Sequence, residues 1–160
     1  MGFCIDELNG SDNLTGIGEL FRRYADWLEK DHGIAPEIHG IDAEIGRLPI
    51  PYCSPDGTLL GARAPDGAYV GCIALRRLDD QSCEVKRLFV LPEMRGHRIG
   101  EALIATLIEK ARSLGYARIV LDVGDYQKPA RALYAKSGFK EVPPMSHISY
   151  PGAVFMAYDL

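Results

Sequence analysis

Residues 87–116, RLFVLPEMRGHRIGEALIATLIEKARSLGY, constrain the fold more than any other part of this 160-residue chain. The apolar run CEVKRLFVL (83–91) meets Pro92 and then a turn holding Gly96 and Gly100. Beyond it Ile99, Ala102, Leu103, Thr106, Leu107 and Ala111 return at three- and four-residue steps. That period marks one face of a helix over about 98–114, stopped by Gly115. A short, largely apolar strand, ARIVLDV, follows at 117–123. Strand, helix, strand makes a crossover unit, so the two strands are expected as a parallel pair with a right-handed connection.

The remaining elements are arranged around that unit. NGSDNLTG (9–16) is polar and able to supply a helix N-cap. Leu14, Ile17, Leu20, Phe21, Tyr24, Ala25 and Leu28 then form one stripe of an amphipathic helix ending near Gly33. A short helix is expected over 41–47, and PIPYCSPDG (49–57), rich in proline, is a loop. Residues 58–64 and 68–77 read as strands joined by the tight turn APDG (64–67). LDDQS (78–82) turns the chain into the strand at 83–91, so the middle of the chain is an antiparallel meander. A last helix over about 129–137 has Pro129 in its first turn, Lys136 in its last and Gly138 at its stop. FKEV (139–142) and AVFMAYDL (153–160) close the chain as strands. The sum is a mixed α/β sheet in a single domain over residues 1–160.

Composition narrows the partners. A net charge of −4 and a pI near 5.5 argue against a nucleic-acid binder, which needs a basic face. MGFCIDEL has no basic, apolar leader pattern, and no apolar run approaches a membrane span, so neither export nor a membrane partner is expected. Cys4, Cys53, Cys72 and Cys83 form no CxxC and have no histidine at ligand spacing, so no metal site is expected. Reduced, partly buried thiols in a cytoplasmic protein are the leading reading, and a Cys72–Cys83 disulfide across adjacent strands is the alternative.

The turn before the central helix suits an anion. The first four N–H groups of a helix lack internal partners and carry about half a positive charge. Gly96 and Gly100 expose backbone there, and Arg95, His97 and Arg98 add charge. A phosphate or pyrophosphate is the natural guest. The turn matches neither GxxxxGK[ST] nor GxGxxG, and the alternative is an ordinary strand-to-helix loop with solvated arginines.

LFVLPEMRGHRIGEALI (88–104) resembles the acyl-coenzyme A signature of the GNAT superfamily of N-acetyltransferases, Arg/Gln-x-x-Gly-x-Gly/Ala. Arg95 fills its first position and Gly100 its last, while Arg98 stands where the family has its middle glycine. ARALYAKSGFKEV (130–142) resembles the family's later motif, a short helix with a tyrosine followed by Gly-Phe and a strand. The resemblance covers most of the chain, less so residues 1–55, and the tail from 141 resembles a bacterial branch of small members with undefined substrates. It implies a GNAT-like fold, a central mixed sheet of about six or seven strands flanked by about four helices.

The resemblance also implies a ligand and a reaction. Acetyl-CoA is the acyl donor, and a primary amine of a small molecule or protein is the acceptor. No metal is required, and a homodimer is one assembly the family uses. The pyrophosphate is expected on Arg95, Gly96, His97, Arg98, Ile99, Gly100 and Glu101. Pantetheine is expected between the strands at 83–91 and 117–123, which diverge in this family, its amides on the backbone of Phe89 and Val90 like an added strand; Ala130, Leu133 and Tyr134 are also expected to bind the coenzyme. The Val90 N–H is expected near the oxyanion. Tyr134 is the expected general acid at the leaving sulfur, against the alternative of a buried helix-face residue. Glu84 is the expected base, against a solvated strand-end carboxylate. Tyr52, His147 and Tyr150, with Glu84, are the expected acceptor-side residues. Asp122 and Asp125, at the end of the parallel strand, are read as turn or capping residues, with orientation of either substrate as the alternative. Within the same fold, a catalytically silent acyl-CoA sensor is the alternative activity.

Overall fold

The computed structural model describes residues 2–34, 40–145 and 150–160. The chain runs β1 (Cys4–Leu8), α1 (Thr15–His32), α2 (Ile41–Arg47), β2 (Thr58–Arg63), β3 (Tyr69–Arg77) and β4 (Ser82–Val90). It continues through a one-turn 3-10 helix (Pro92–Met94), α3 (Ile99–Ser113), β5 (Arg118–Gly124), α4 (Lys128–Lys136), β6 (Lys140–Val142) and β7 (Ala153–Asp159). Seven strands form one sheet in the order β1-β2-β3-β4-β5-β7-β6, with β4 and β5 the parallel pair among antiparallel neighbours. The mixed α/β sheet, the meander, the crossover and the four helices are those expected from the sequence.

Each face of the sheet has its own core. Ile99, Leu103, Ile104, Leu107 and Ala111 of α3 pack with Tyr134 of α4 on one face, against Ile73, Leu75, Val85, Ile119 and Leu121. Ile17, Leu20, Phe21 and Ala25 of α1 pack with Ile41 of α2 on the other, against Leu59, Cys72, Ala74 and Phe89. Cys83 lies in the first core and Cys72 in the second, so the disulfide alternative fails and all four thiols are free. Burial pushes the Cys72 and Cys83 thiols up to about 12.

Three local expectations differ. β1 is a strand that the sequence reading omitted. CIDEL carries two acids and little apolar pattern, and its ladder to β2 is supported by non-local pairs, Asp6 with Arg63 at 2.6 Å and Glu7 with Lys110 at 2.9 Å. The N-cap of α1 is Leu14, with no side-chain cap hydrogen bond, and Asn13 instead accepts from the N–H of Thr15 at 3.1 Å. β4 is also irregular. Its register with β3 shifts between Cys72↔Phe89 and Ala74↔Lys86, and Arg87 there has φ 62°. This is a bulge, which bends the strand and increases its twist.

Candidate active site

The parallel pairing of β4 with β5 is short. It covers Ser82↔Arg118, Cys83↔Ile119 and Glu84↔Val120, although β4 continues to Val90 and β5 to Gly124. Past Glu84 the strands part, and the bulge at Arg87 lies just beyond that point. At the mouth of the gap is a cleft of about 570 Å³. One wall is Leu88, Phe89 and Val90 of β4, and the other is Pro129, Ala130 and Leu133 of α4. Arg95, Gly96, Arg98, Ile99, Gly100 and Glu101 close one end, with Trp27 and His32 of α1 and Tyr126 at the other. Thus ten of the expected donor residues line one cleft, leaving His97 and Tyr134 outside the lining.

Strand geometry decides which backbone groups face the cleft. The N–H of Leu91 donates to Val70 O at 2.9 Å, and in the same register Phe89 pairs with Cys72. Backbone groups alternate sides along a strand, so Phe89 turns its N–H and C=O to β3 while Val90 turns both towards the gap. Phe89 therefore contributes its ring to the cleft, and Val90 contributes its backbone.

The turn is built as an anion seat. Ala102 N–H makes the first bond of α3, to Arg98 O at 3.1 Å, so the N–H groups of Ile99, Gly100 and Glu101 have no helical partner. Gly96 has φ +86°, a region that favours glycine. At Gly100 α3 approaches α4 closely: a Cβ there would meet Leu133 Cδ2 at 2.7 Å and the leucine side chain would have to shift. Arg98 is the N-cap, with φ 62° and ψ 23°. The position where the signature has its middle glycine is thus left-handed here, a conformation that favours glycine, and carries a cation. Glu101 pairs with Lys136, which holds its carboxyl below the usual range and offsets its charge beside the helix N-terminus.

Arg95 crosses the cleft. Its Nε donates to Val90 O at 3.2 Å, and its guanidinium lies 5.6 Å from the Trp27 ring centre and 5.9 Å from that of Phe89. The His32 ring lies 4.6 Å from that of Tyr126 in a tilted pair and meets Trp27 edge-on at 4.8 Å.

A polar group bridges the inner end of the gap. Glu84 is fully buried, and Arg76 holds its Oε1 through Nη2 at 2.7 Å and Nε at 2.8 Å. Lys86 Nζ lies 3.8 Å from Glu84 Oε2 and 3.4 Å from Asp122 Oδ1. Tyr150 donates its hydroxyl to Asp122 Oδ2 at 2.8 Å. Glu84 is therefore no solvated strand-end carboxylate, and Asp122, inside β5, is no capping residue. Asp122 is the more accessible carboxylate, its side chain 10% exposed against none for Glu84.

Two other expectations move. Tyr52 is 1% exposed and donates to Glu44 Oε1 at 2.6 Å, in a buried group with Arg87, so it is a core residue outside the cleft and not an acceptor-side residue. Tyr134 is 5% exposed, with its ring 5.4 Å from Phe139 in an edge-on pair. Burial raises its phenol well above the ordinary value, and Tyr24 and Asp122 raise it further. His147 lies outside the described residues. Sequence reasoning missed Trp27, His32, Tyr126 and Lys86. Trp27 and His32 belong to the half-buried side of α1, where the periodicity pointed only to core.

Comparison with known proteins agrees with this geometry. Residues 17–139 match the acetyltransferase (GNAT) family. An uncharacterized N-acetyltransferase of Schizosaccharomyces pombe is 34% identical over 132 residues, 82% of this chain and 81% of that protein. A crystal structure described as an acyl-CoA N-acyltransferase, from Klebsiella pneumoniae, superposes with a TM-score of 0.79 at 26% identity, covering 99% of this chain and 97% of that one. A GNAT family acetyltransferase from Elizabethkingia anophelis, solved with acetyl-CoA bound, shares the fold at a TM-score of 0.67 and 19% identity, over 99% and 98% of the two chains. The chain belongs to the GNAT acetyltransferase family, and it is an N-acetyltransferase.

Proposed function

We propose that this enzyme moves an acetyl group from acetyl-CoA directly to a primary amine of a small molecule or a protein. The observation that carries the reading is the gap between β4 and β5, opening beside a helix N-terminus. The residues fit the donor. The N–H groups of Ile99, Gly100 and Glu101, with Arg98, receive the pyrophosphate. Val90 offers both backbone groups to a pantetheine amide or to the thioester oxygen. Ala130 and Leu133 cover the apolar stretch, and the cleft volume suits a ligand of this size.

Acetyl transfer needs a neutral amine, because an alkyl ammonium has a pKa near 10 and no free lone pair. In this reading the proton leaves the amine at the Asp122–Lys86–Glu84 group, with Asp122 as its outermost carboxylate. Asp122 oxygens can accept about four hydrogen bonds, so Lys86 and Tyr150 leave room for an amine. Glu84 then anchors Lys86 and Arg76 and does not touch the acceptor. Tyr134 keeps its proton at neutral pH and donates a hydrogen bond to the departing sulfur.

The test is a thermal melt with acetyl-CoA or ATP, followed by an assay of free thiol with a panel of primary amines. Acetyl-CoA at 100 times its dissociation constant should raise the melting point by roughly 5–10 °C, with ATP inert. Asp122→Asn should lower turnover by about 10² or more. Absence of a shift with acetyl-CoA would remove the donor assignment. A shift without thiol release for any amine would favour the silent acyl-CoA sensor.

A further inference from the structure

The Arg95 side chain occupies the donor's own path. Its Nε takes the Val90 carbonyl, one of the two backbone groups turned to the gap, and its guanidinium rests on the rings of Trp27 and Phe89. All four residues line the cleft between β4 and α4. A pantetheine arm laid along Val90 therefore competes with Arg95 for that carbonyl and for the space beside Trp27 and Phe89. The displaced guanidinium needs a new partner, since leaving an aromatic face and a carbonyl has a cost. Arg95 stands three residues before Arg98, the N-cap of α3, and a phosphate on that helix end lies within reach of its long side chain. Its backbone is extended, with φ −70° and ψ 155°, so rotation of the side chain requires no change in the turn.

We infer that Arg95 is the donor-specificity residue: it competes with any pantetheine thioester for the cleft, and it yields to a donor whose phosphates receive it. The inference rests on the acetyl-CoA reading above and deepens it. A full coenzyme exchanges one set of Arg95 contacts for another. A phosphate-free pantetheine displaces the guanidinium into water and gains nothing in return. The cleft thereby selects coenzyme thioesters over truncated ones through a side chain that need not touch the acyl group.

Trp27 is the only tryptophan in the chain, so its emission reports the seat directly. The experiment compares wild-type protein with Arg95→Ala, first ligand-free and then titrated with coenzyme A and with pantetheine. Arg95→Ala should alter Trp27 emission with no ligand present, because the cation leaves the ring. Pantetheine should bind the variant about two- to fivefold more tightly than wild type, the span of an exposed cation–π contact. Coenzyme A should bind it more weakly, so that the preference for coenzyme A over pantetheine falls by about tenfold. Arg95→Lys, which keeps the charge but loses the planar fork, should lie between the two. Unchanged Trp27 emission in ligand-free Arg95→Ala overturns the inference, as does pantetheine affinity that stays equal or weakens. Failure of coenzyme A to bind wild-type protein overturns the acetyl-CoA reading itself, and the inference with it. That result is distinct from coenzyme A binding with no gain for pantetheine, which sinks the inference alone.

Discussion

Tyr134, the proposed hydrogen-bond donor to the leaving sulfur, shows how burial divides the tasks of such a phenol. Its raised pKa keeps it protonated across the neutral range, but makes full transfer to a thiolate, with a reference value near 8.5, more uphill. In the proposed reaction its use is therefore to donate a hydrogen bond to charge growing on sulfur. Tyr134→Phe should lower kcat by about 10²-fold while KM for acetyl-CoA changes little, as steady-state kinetics would show. Full activity in that variant would remove Tyr134 from the reaction. Arg98 presents a different balance. A non-glycine residue held left-handed carries roughly 1 kcal/mol of strain, and glycine there costs part of that back in unfolded-state entropy. Arg98→Gly should leave the ligand-free melting point equal or raised by about 2 °C, and should weaken coenzyme A binding through the lost charge. A fall of several degrees would mean that the Arg98 side chain stabilises the turn.

At the scale of elements, the bulge in β4 is held from across the sheet. Arg87, left-handed and 8% exposed, pairs with Glu44 of α2 through Nε at 2.6 Å and Nη2 at 3.1 Å, and Tyr52 donates to the same carboxylate. Removing one member of a buried ion pair costs about 3–5 kcal/mol, because a buried charge loses a bidentate partner. Glu44→Ala should therefore lower stability by about that amount in urea unfolding, and Tyr52→Phe by about 1.5 kcal/mol. A loss below about 1 kcal/mol for Glu44→Ala would show that α2 does not secure the bulge. The sequence marked both elements, but could not pair them. Glu44 and Arg87 are 43 residues apart, and each alone reads as a surface charge. The crossover was legible for the opposite reason: β4, α3 and β5 are consecutive, and their periods change sharply at Pro92 and Gly115. β1 was not, because its ladder depends on β2 more than fifty residues later.

For the whole molecule, the buried thiols set an alkaline limit to stability. Cys72 and Cys83 titrate near 12 in the fold and near 9 when exposed, so their folded values are raised. Groups of this kind contribute fully below pH 9, and the contribution is lost as the pH rises towards 12, because only the unfolded chain releases the proton easily. The urea midpoint should hold up to about pH 9 and then fall, and Cys72→Ala should make the fall shallower. An equal slope in that variant would assign the loss to other groups. At pH 8, Cys4, which is exposed, should react with iodoacetamide while Cys72 and Cys83 stay protected, as mass spectrometry would detect.

What the sequence determined by itself was local and periodic: the meander, the crossover, the glycine turn on a helix N-terminus and the tyrosine helix after it. These follow from neighbours within a few residues, where the period and the turn residues carry the information. Only the tertiary structure decided which groups meet at the gap. It turned the backbone groups of Val90 rather than those of Phe89 to the cleft, sealed Glu84 behind Arg76, set Asp122 against Lys86 and Tyr150, and sent Tyr52 into the core with Glu44. Those outcomes depend on strand register, on a bulge of one residue and on the side chains of helices far away in the chain. A shift of one residue in a strand exchanges its two faces, so no local pattern could have chosen between them.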